Sequence, residues 1–203
     1  NARVYYNFVL SITGSTAPTA TPQPTTAPPN VQRIQFAPGA TSATVYQQIL
    51  PSLVQIETDD SAENGSGQGL GAGVIVNRNG TILTALHVVE GAQTIRVSFA
   101  DGSTSEAAIA SADPPNDIAV LMPQRGPEVI VPAVLGGGGQ VGDEAYAIGH
   151  PLGYSGSLTS GVISGLDRAT KAPNGATMRG LIQFDAAVNP GNSGGPLLNR
   201  AGQ

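Results

Sequence analysis

Frequent turn-forming residues constrain the fold of this sequence more than any other feature. The 203 residues include 27 glycines and 16 prolines, two residue types that interrupt helices and favour tight turns. Asn79-Gly80 and Asp101-Gly102 separate neighbouring apolar runs, where they predict hairpin turns of type I′. We therefore expect an all-β protein of short strands, closed into a barrel or a sandwich that protects its strand edges.

The β-rich runs form two series, which follow one predicted helix at 41–49. The first series comprises 52–58, 73–77, 82–86, 94–99, 106–110 and 118–122, and the second comprises 129–135, 144–148, 158–163, 181–184 and 196–198. This order predicts three parts: an N-terminal segment at 1–40, a first barrel with its leading helix at 41–126, and a second, partial barrel at 127–203. Ala201-Gly202 predicts a further turn, after which the partner of the last strand is expected.

The N-terminal 40 residues differ in composition from the rest. The apolar run 4–12 is shorter than a membrane crossing requires, and two interpretations stay open: the end of a signal or membrane anchor, or an ordered surface element. Between 11 and 30 there are six Thr and five Pro, which indicates an extended linker of the kind found in exported proteins. We expect a location outside the cytoplasm, in the periplasm, the cell envelope or the medium.

Charge and residue usage exclude several classes of function. Nine Lys and Arg face fourteen Asp and Glu, for a formal net charge of −5, which is the wrong sign for binding nucleic-acid phosphates. The sequence has no cysteine and two histidines, His87 and His150. A disulfide framework and a cysteine nucleophile are excluded, and we expect no metal and no cofactor. Any chemistry that needs an imidazole must use one of these two residues.

The most specific motif is Gly191-Asn192-Ser193-Gly194-Gly195-Pro196. Glycines allow a tight loop that approaches a substrate, and this leaves the N–H groups of Gly191 and Ser193 free to bind a developing oxyanion. Ser193 is then the candidate nucleophile. A serine requires an imidazole base, which a carboxylate in turn orients.

His87 and Asp117 are the candidates for those two roles. His87 follows the apolar run 82–86 and Asp117 precedes 118–122. Each alone also fits a bland role, as an exposed histidine or a turn aspartate. The rival base is His150, which we interpret as a loop residue.

Four segments together resemble the HtrA (Deg) family of chymotrypsin-fold serine proteases: TALHVV at 84–89, NDIAVL at 116–121, AIGHPLG at 147–153 and FDAAVNPGNSGGP at 184–196. The resemblance extends from about Ser52 to the end. It implies two β-barrels with the active site between them, the second barrel being incomplete here. His87 would be the general base, Asp117 would orient it, Ser193 would attack, and the loop Gly191, Asn192, Ser193 would form the oxyanion hole. The implied activity is hydrolysis of unfolded or damaged polypeptides through an acyl-enzyme, without a cofactor.

Two departures from related proteases bear on specificity and activation. Where trypsin-like enzymes carry the carboxylate that recognises Arg or Lys, this sequence has Ala187. We assign Ala187, Val188 and Asn189 to the substrate pocket and expect cleavage after small or medium aliphatic residues. Asn192 replaces the aspartate that pairs with a freshly cut N-terminus in digestive proteases, so activation by that ion pair is not expected.

The resemblance also raises expectations about the parent protein. Later strands that close the second barrel, and the PDZ domains frequent in the family, are absent from this sequence, so inactivity of this fragment is one expected outcome. A homotrimer formed through Tyr5, Tyr6, Phe8 or Phe36 is another expectation, as is a C-terminal PDZ domain in the parent. The alternative from a different class is a non-catalytic, protease-like module that binds peptides or serves as a scaffold.

Three weaker patterns have bland interpretations. The glycine-rich segment 67–72 matches a dinucleotide-binding loop but precedes a strand, so we interpret it as a mobile loop entering that strand. Asp59, Asp60 and Glu63 fit a solvated acidic loop better than a calcium site. The segment 168–178 resembles the family's regulatory loop and equally fits a plain hairpin loop.

Overall fold

Strands dominate the architecture, as the sequence predicted. The computed structural model describes residues 30–31, 41–60, 67–137, 139–150, 156–171 and 177–203. The strands are β1 (Asn30–Val31), β2 (Leu53–Asp60), β3 (Gly67–Ile75), β4 (Ile82–Ala85), β5 (Thr94–Ser98), β6 (Thr104–Asp113), β7 (Ile118–Pro123), β8 (Val129–Ile130), β9 (Glu144–Gly149), β10 (Ser157–Lys171), β11 (Thr177–Phe184) and β12 (Leu197–Leu198). The helices are α1 (Ser42–Ile49) and α2 (Leu86–Val89), with 3₁₀ turns at Leu50–Ser52 and Pro114–Asn116.

Several sequence-based expectations concern residues outside the described ranges. These are the apolar run 4–12, the linker up to Pro29, the aromatic residues Tyr5, Tyr6, Phe8 and Phe36, the acidic residue Glu63, and the centre of the loop 168–178. In the described part, no helix has the length and apolar character that a membrane crossing would require.

Six strands close into a barrel in the order β2-β3-β4-β7-β6-β5. Strand β5 shows why, because Ile95 and Val97 are buried while Thr94 and Arg96 are exposed. This period of two turns one face of each strand inward. The fully buried side chains at the centre include Val54, Ile56, Ile75, Ile82, Val97 and Leu121. Closure pairs the strand edges, so the first half of the chain is a barrel rather than a sandwich.

The two predicted hairpins form, but the expected turn type is wrong. A type I′ turn needs a positive φ at both central residues, and here only Gly80 (φ 76°) and Gly102 (φ 83°) have one, whereas Asn79 and Asp101 do not. The side chain of Asn77 accepts hydrogen bonds from the N–H groups of Asn79 and Thr81. Such a side-chain bond stabilises a right-handed turn and leaves the left-handed position to glycine.

The second half of the chain forms an open sheet in the order β11-β10-β9-β12. Helix α1, which we grouped with the first barrel, packs Val45 and Ile49 against Tyr146 and Leu198 of this sheet. The chain thus contains one closed barrel and one half-barrel, which confirms the chymotrypsin-like double barrel with an incomplete second barrel.

The glycine-rich segment 67–72 is part of strand β3, so its interpretation as a mobile loop is wrong. Strand β3 pairs with β2 along all but its last residue, from Gly67 opposite Asp60 to Val74 opposite Leu53. A Cβ atom at Gly71 would lie 2.5 Å from Cγ1 of Val88. The glycines there allow close packing, because helix α2 crosses this strand at short range.

Other boundaries also differ from the predicted runs. The run 129–135 is a strand only at Val129–Ile130, where β8 pairs in parallel with β1. Strands β10 and β11 are longer than predicted and form an irregular antiparallel pair. Pairing between β10 and β11 therefore extends both strands beyond the apolar runs from which they were predicted.

Candidate active site

His87 lies on a short helix and not at the end of a strand. Strand β4 ends at Ala85, and Leu86–Val89 forms the helical turn α2. Leu86 and Val89 are buried in the barrel core, which turns the His87 side chain outward, where it is 52% exposed. The expected strand at 82–86 is therefore one residue too long. Leu86 and Val89 are three residues apart, so a helical turn places both side chains on the face that packs in the barrel core.

Asp117 meets His87 from a strained turn. It follows the 3₁₀ turn Pro114–Asn116 and adopts a left-handed conformation with φ 55° and ψ 43°. For a residue with a Cβ this conformation costs about 1–3 kcal/mol, and the surrounding structure must hold it in place. The Leu86 N–H donates to the Asp117 carbonyl at 2.9 Å, which ties this turn to α2.

The carboxylate of Asp117 binds His87 twice. Its Oδ2 lies 2.6 Å from Nδ1 of His87, and its Oδ1 accepts the His87 backbone N–H at 2.8 Å. A carboxylate only accepts hydrogen bonds, so Nδ1 carries the proton and the unprotonated Nε2 can accept one. This is the tautomer that a general base requires.

The same contacts shift both pKa values. The hydrogen bond to Asp117 raises the pKa of His87 above its ordinary value; burial opposes the shift and the carboxylate charge adds to it. Burial acts to raise the pKa of Asp117, but the hydrogen bonds from His87 and its charge outweigh burial and lower the pKa. Protonation of His87 beside an ionised Asp117 is therefore favoured.

Ser193 is held against the first barrel by its backbone. Its carbonyl accepts the Ala72 N–H at 2.8 Å, and the Ala72 carbonyl accepts the buried Thr84 hydroxyl at 2.7 Å. Sequence reasoning missed the contribution of Thr84, although it stands in the motif TALHVV. A strand of the first barrel thus positions a loop of the second half.

Three amides of this loop are unused within the described part of the chain. The Asn192 N–H donates to Asn189 and the Gly195 N–H donates to Asn192, whereas the N–H groups of Gly191, Ser193 and Gly194 donate to no protein acceptor there. Gly191 has φ 100°, which a side chain would resist. Free amides flanking one peptide are the arrangement that an oxyanion hole requires.

His87, Asp117 and Ser193 line one cavity of about 340 Å³ between the barrel and the open sheet. The structure thus brings together the three side chains singled out from the sequence. No hydrogen bond joins the Ser193 hydroxyl to the His87 ring among the described residues. Asn192 also lines this cavity, and Gly191 does not.

The predicted substrate-pocket residues lie outside that cavity. Ala187 and Asn189 are exposed and Val188 is partly buried, and none of the three lines the cavity. The Ala187 carbonyl accepts the Thr159 hydroxyl at 2.6 Å, so strand β10 holds this segment in place.

His150 is buried at the end of β9 and does not line the cavity. The ring Nδ1 of His150 accepts the Gly156 backbone N–H at 3.3 Å, and the backbone N–H of His150 donates to the Gly191 carbonyl at 3.1 Å. Burial lowers the pKa of its ring. His150 follows the strand as a loop residue, but its contact with the nucleophile loop had no signal in the sequence.

No metal-binding cluster of three or more His, Cys, Asp or Glu side chains occurs in the described ranges. Of the acidic group considered above, Asp59 accepts a hydrogen bond from the Thr94 hydroxyl at 3.1 Å. The side chains of Asp60 and Glu63 lie outside the described part.

Comparison with known proteins gives one consistent result. The family model of the trypsin-like peptidase domain matches residues 71–203. Among curated relatives, "Protease Do-like 5, chloroplastic" of Arabidopsis thaliana is 38% identical and the match covers 78% of this chain and 56% of the relative. "Serine protease PepD" of Mycobacterium tuberculosis is 36% identical, with coverage of 92% and 42%. "Periplasmic pH-dependent serine endoprotease DegQ" of Escherichia coli is 33% identical, with coverage of 82% and 41%.

The solved structures agree with the sequence relatives. "HtrA-type protease AlgW with tripeptide" superposes with a TM-score of 0.70 at 34% identity, covering 80% of this chain and 52% of that chain. A barrel and half-barrel with His, Asp and Ser around one cavity define a trypsin-like serine peptidase fold. The chain belongs to the trypsin-like peptidase family, and within it to the HtrA-type serine proteases. It spans about half the length of the curated relatives it matches.

Proposed function

We propose that this chain carries the catalytic residues of an HtrA-type serine endopeptidase. The observation that carries the proposal is the 2.6 Å contact between His87 Nδ1 and Asp117 Oδ2, on a cavity that Ser193 also lines. Asp117 holds the ring in the tautomer that leaves Nε2 unprotonated, so His87 can take the Ser193 proton as the hydroxyl attacks.

The proposed reaction passes through an acyl-enzyme. The Ser193 hydroxyl oxygen adds to the carbonyl carbon of the peptide while its proton moves to Nε2 of His87. His87 then gives that proton to the leaving amine, and the C–N bond breaks to leave an ester on Ser193. Water hydrolyses this ester with His87 again acting as base, which regenerates the serine.

The Gly191 and Ser193 amides stabilise the negative oxygen of both tetrahedral intermediates in this proposal, with Asn192 connecting them. Their lack of protein acceptors in the described ranges supports this role. An oxyanion-hole donor contributes by binding the charge that develops in the transition state, and removing one lowers kcat about 10²–10³-fold in a well-studied protease.

The proposed substrates are unfolded or damaged polypeptides, cut after small or medium aliphatic residues. The residue preference rests on the sequence position of Ala187, which lies outside the cavity described above and offers no counter-charge to an arginine or lysine side chain. Support for a polypeptide substrate comes from the relatives, one of which is described as an endoprotease and another as bound to a tripeptide.

Location and assembly belong to the same proposal. An extracytoplasmic site of action is supported by the relative described as periplasmic. A homotrimer, a C-terminal PDZ domain and inactivity of this chain on its own stay predictions from the family resemblance, and a membrane anchor stays a prediction from the apolar run 4–12.

Labelling with a fluorophosphonate tests the nucleophile directly, because only an activated serine beside a formed oxyanion hole reacts fast. In the full-length parent protein, we expect Ser193→Ala to abolish labelling and peptide hydrolysis and to leave thermal unfolding unchanged, since the substitution removes one half-buried hydroxyl. Ser111→Ala, an exposed serine on β6, is the matched control and should label like the wild type. A wild-type protein that binds peptides but takes no label would support the non-catalytic module instead.

A further inference from the structure

We propose that His150 is a positioning residue for the oxyanion hole, an inference that rests on the proposed function. The dipeptide Gly149-His150 packs directly on the dipeptide Gly191-Asn192. A Cβ atom added at Gly149 would lie 2.6 Å from the Asn192 Cα, so the two backbones touch. The His150 N–H donates to the Gly191 carbonyl at 3.1 Å.

These contacts fix the peptide that joins Gly191 to Asn192. Its carbonyl accepts from His150, and its N–H donates to the Asn189 carbonyl at 3.0 Å. With both polar groups bound, the peptide cannot rotate, and it lies between the two amides proposed to bind the oxyanion. The Asn192 side chain packs on Gly149, but its buried Oδ1 has no hydrogen-bond partner in the described structure. Orientation of the hole therefore depends on two backbone hydrogen bonds, and the one from His150 is the one that ties the loop to strand β9.

The His150 side chain makes a second contact, on the side of the residue that faces away from Gly191. Only 7% of the residue is exposed, and Nδ1 lies 3.3 Å from the Gly156 N–H. Gly156 in turn lies against Tyr46 of α1, since a Cβ atom there would be 2.6 Å from the tyrosine hydroxyl. Residue 150 thus connects the oxyanion loop, through its backbone N–H, to Gly156, through its ring, and Gly156 packs on helix α1.

The Nε2 of His150, unpartnered among the described residues, lowers stability, which indicates that the ring is present for the hydrogen bond that Nδ1 accepts. Because Nδ1 accepts a hydrogen bond, the neutral ring carries its proton on Nε2, and this buried atom has no partner in the described part. A buried donor without a partner lowers stability, and an apolar side chain of similar size would avoid this loss. The acceptor at Nδ1 is what such a side chain could not supply.

Two substitutions separate positioning from simple packing. His150→Leu fills the space but removes the acceptor, whereas His150→Asn places an amide oxygen near the position of Nδ1. We expect the leucine variant to lose about 10- to 100-fold in kcat at nearly unchanged KM, because only transition-state binding suffers. The asparagine variant should recover most of that loss. Ile56→Val, a buried change in the first barrel, controls for a general loss of stability and should keep kcat.

Hydrogen exchange of the backbone amide of residue 150 measures how well its hydrogen bond to the Gly191 carbonyl is kept, and this measurement does not require catalytic activity. We expect faster exchange of this N–H in His150→Leu and wild-type exchange in His150→Asn and Ile56→Val. Equal exchange in all variants, or wild-type kcat in His150→Leu, would overturn the inference. Should the leucine variant not fold, Gly149→Ala displaces Asn192 without touching the ring and should give the same loss of kcat; normal kcat there also overturns the inference.

The two proposals can fail separately. If the full-length parent protein neither hydrolyses peptides nor takes the fluorophosphonate label, the proposed function fails. Exchange at the residue 150 amide then still shows whether the ring stabilises the hydrogen bond to the Gly191 carbonyl, so the structural part of the inference is tested separately.

Discussion

Replacing Gly194 by alanine tests how tightly the nucleophile loop is held against the first barrel. Gly194 follows Ser193 and has φ +81°. A Cβ atom there would lie 2.2 Å from both the Ala72 carbonyl oxygen and the Thr84 hydroxyl oxygen, and 2.9 Å from the Ala85 nitrogen. Two of these three atoms belong to backbone, so the added methyl group cannot be accommodated by a side-chain rotation alone.

The expected magnitude has two parts. Left-handed backbone costs a residue with a Cβ about 1–3 kcal/mol, which lowers stability without affecting catalysis directly. The contact adds a displacement, because a Cβ 2.2 Å from an oxygen must retreat by roughly 1 Å to reach van der Waals distance, and a misplacement of about 1 Å in an active site can cost about 10²-fold in rate. Gly194→Ala should therefore lower kcat about 100-fold as well as stability.

Gly102 offers a matched control for the backbone part. It has φ +83°, almost the same as Gly194, and an added Cβ atom would meet nothing within 4 Å. Gly102→Ala should lose stability by a similar backbone cost in urea unfolding and keep the wild-type kcat in a peptide-hydrolysis assay. The difference in kcat between the two variants isolates the displacement of the loop.

The reasoning fails if Gly194→Ala and Gly102→Ala have the same kcat. That result would mean that the contact between the Ser193 loop and strand β3 yields without moving the nucleophile. The hydrogen bond from the Ala72 N–H to the Ser193 carbonyl would then have no effect on the rate of catalysis.

Two further predictions concern pH and specificity. Activity should rise with pH as His87 loses its proton, with a midpoint above the ordinary histidine value because Asp117 raises the pKa. Asp117→Asn should lower both that midpoint and kcat, and a pH profile of kcat/KM that keeps its midpoint would contradict this. Peptides with Val, Ala or Leu before the cut should be hydrolysed faster than peptides with Arg or Lys, and Ala187→Asp should favour the basic ones; fast wild-type cleavage after Arg or Lys in a peptide-library assay would refute the pocket argument.

The site was largely predictable because its members stand in short, specific motifs. The spacing within Gly191-Asn192-Ser193-Gly194-Gly195-Pro196 identified the candidate loop, and the order His, Asp, Ser identified its candidate partners. The structure brings His87, Asp117 and Ser193 to one cavity. What could not be predicted were the groups that hold these side chains, namely Thr84, Ala72 and His150, because hydrogen bonds between distant segments leave no local pattern.

The same division applies to the fold. The sequence by itself determined the strand-rich class and the places of the hairpins, because the period of apolar residues and the turn chemistry of glycine act over a few neighbouring residues. Only the tertiary structure decided that 67–72 is a packed strand, that His87 stands on a helical turn, and that α1 packs on the second sheet. Those outcomes depend on which distant surfaces meet, since burial and close approach are properties of both partners.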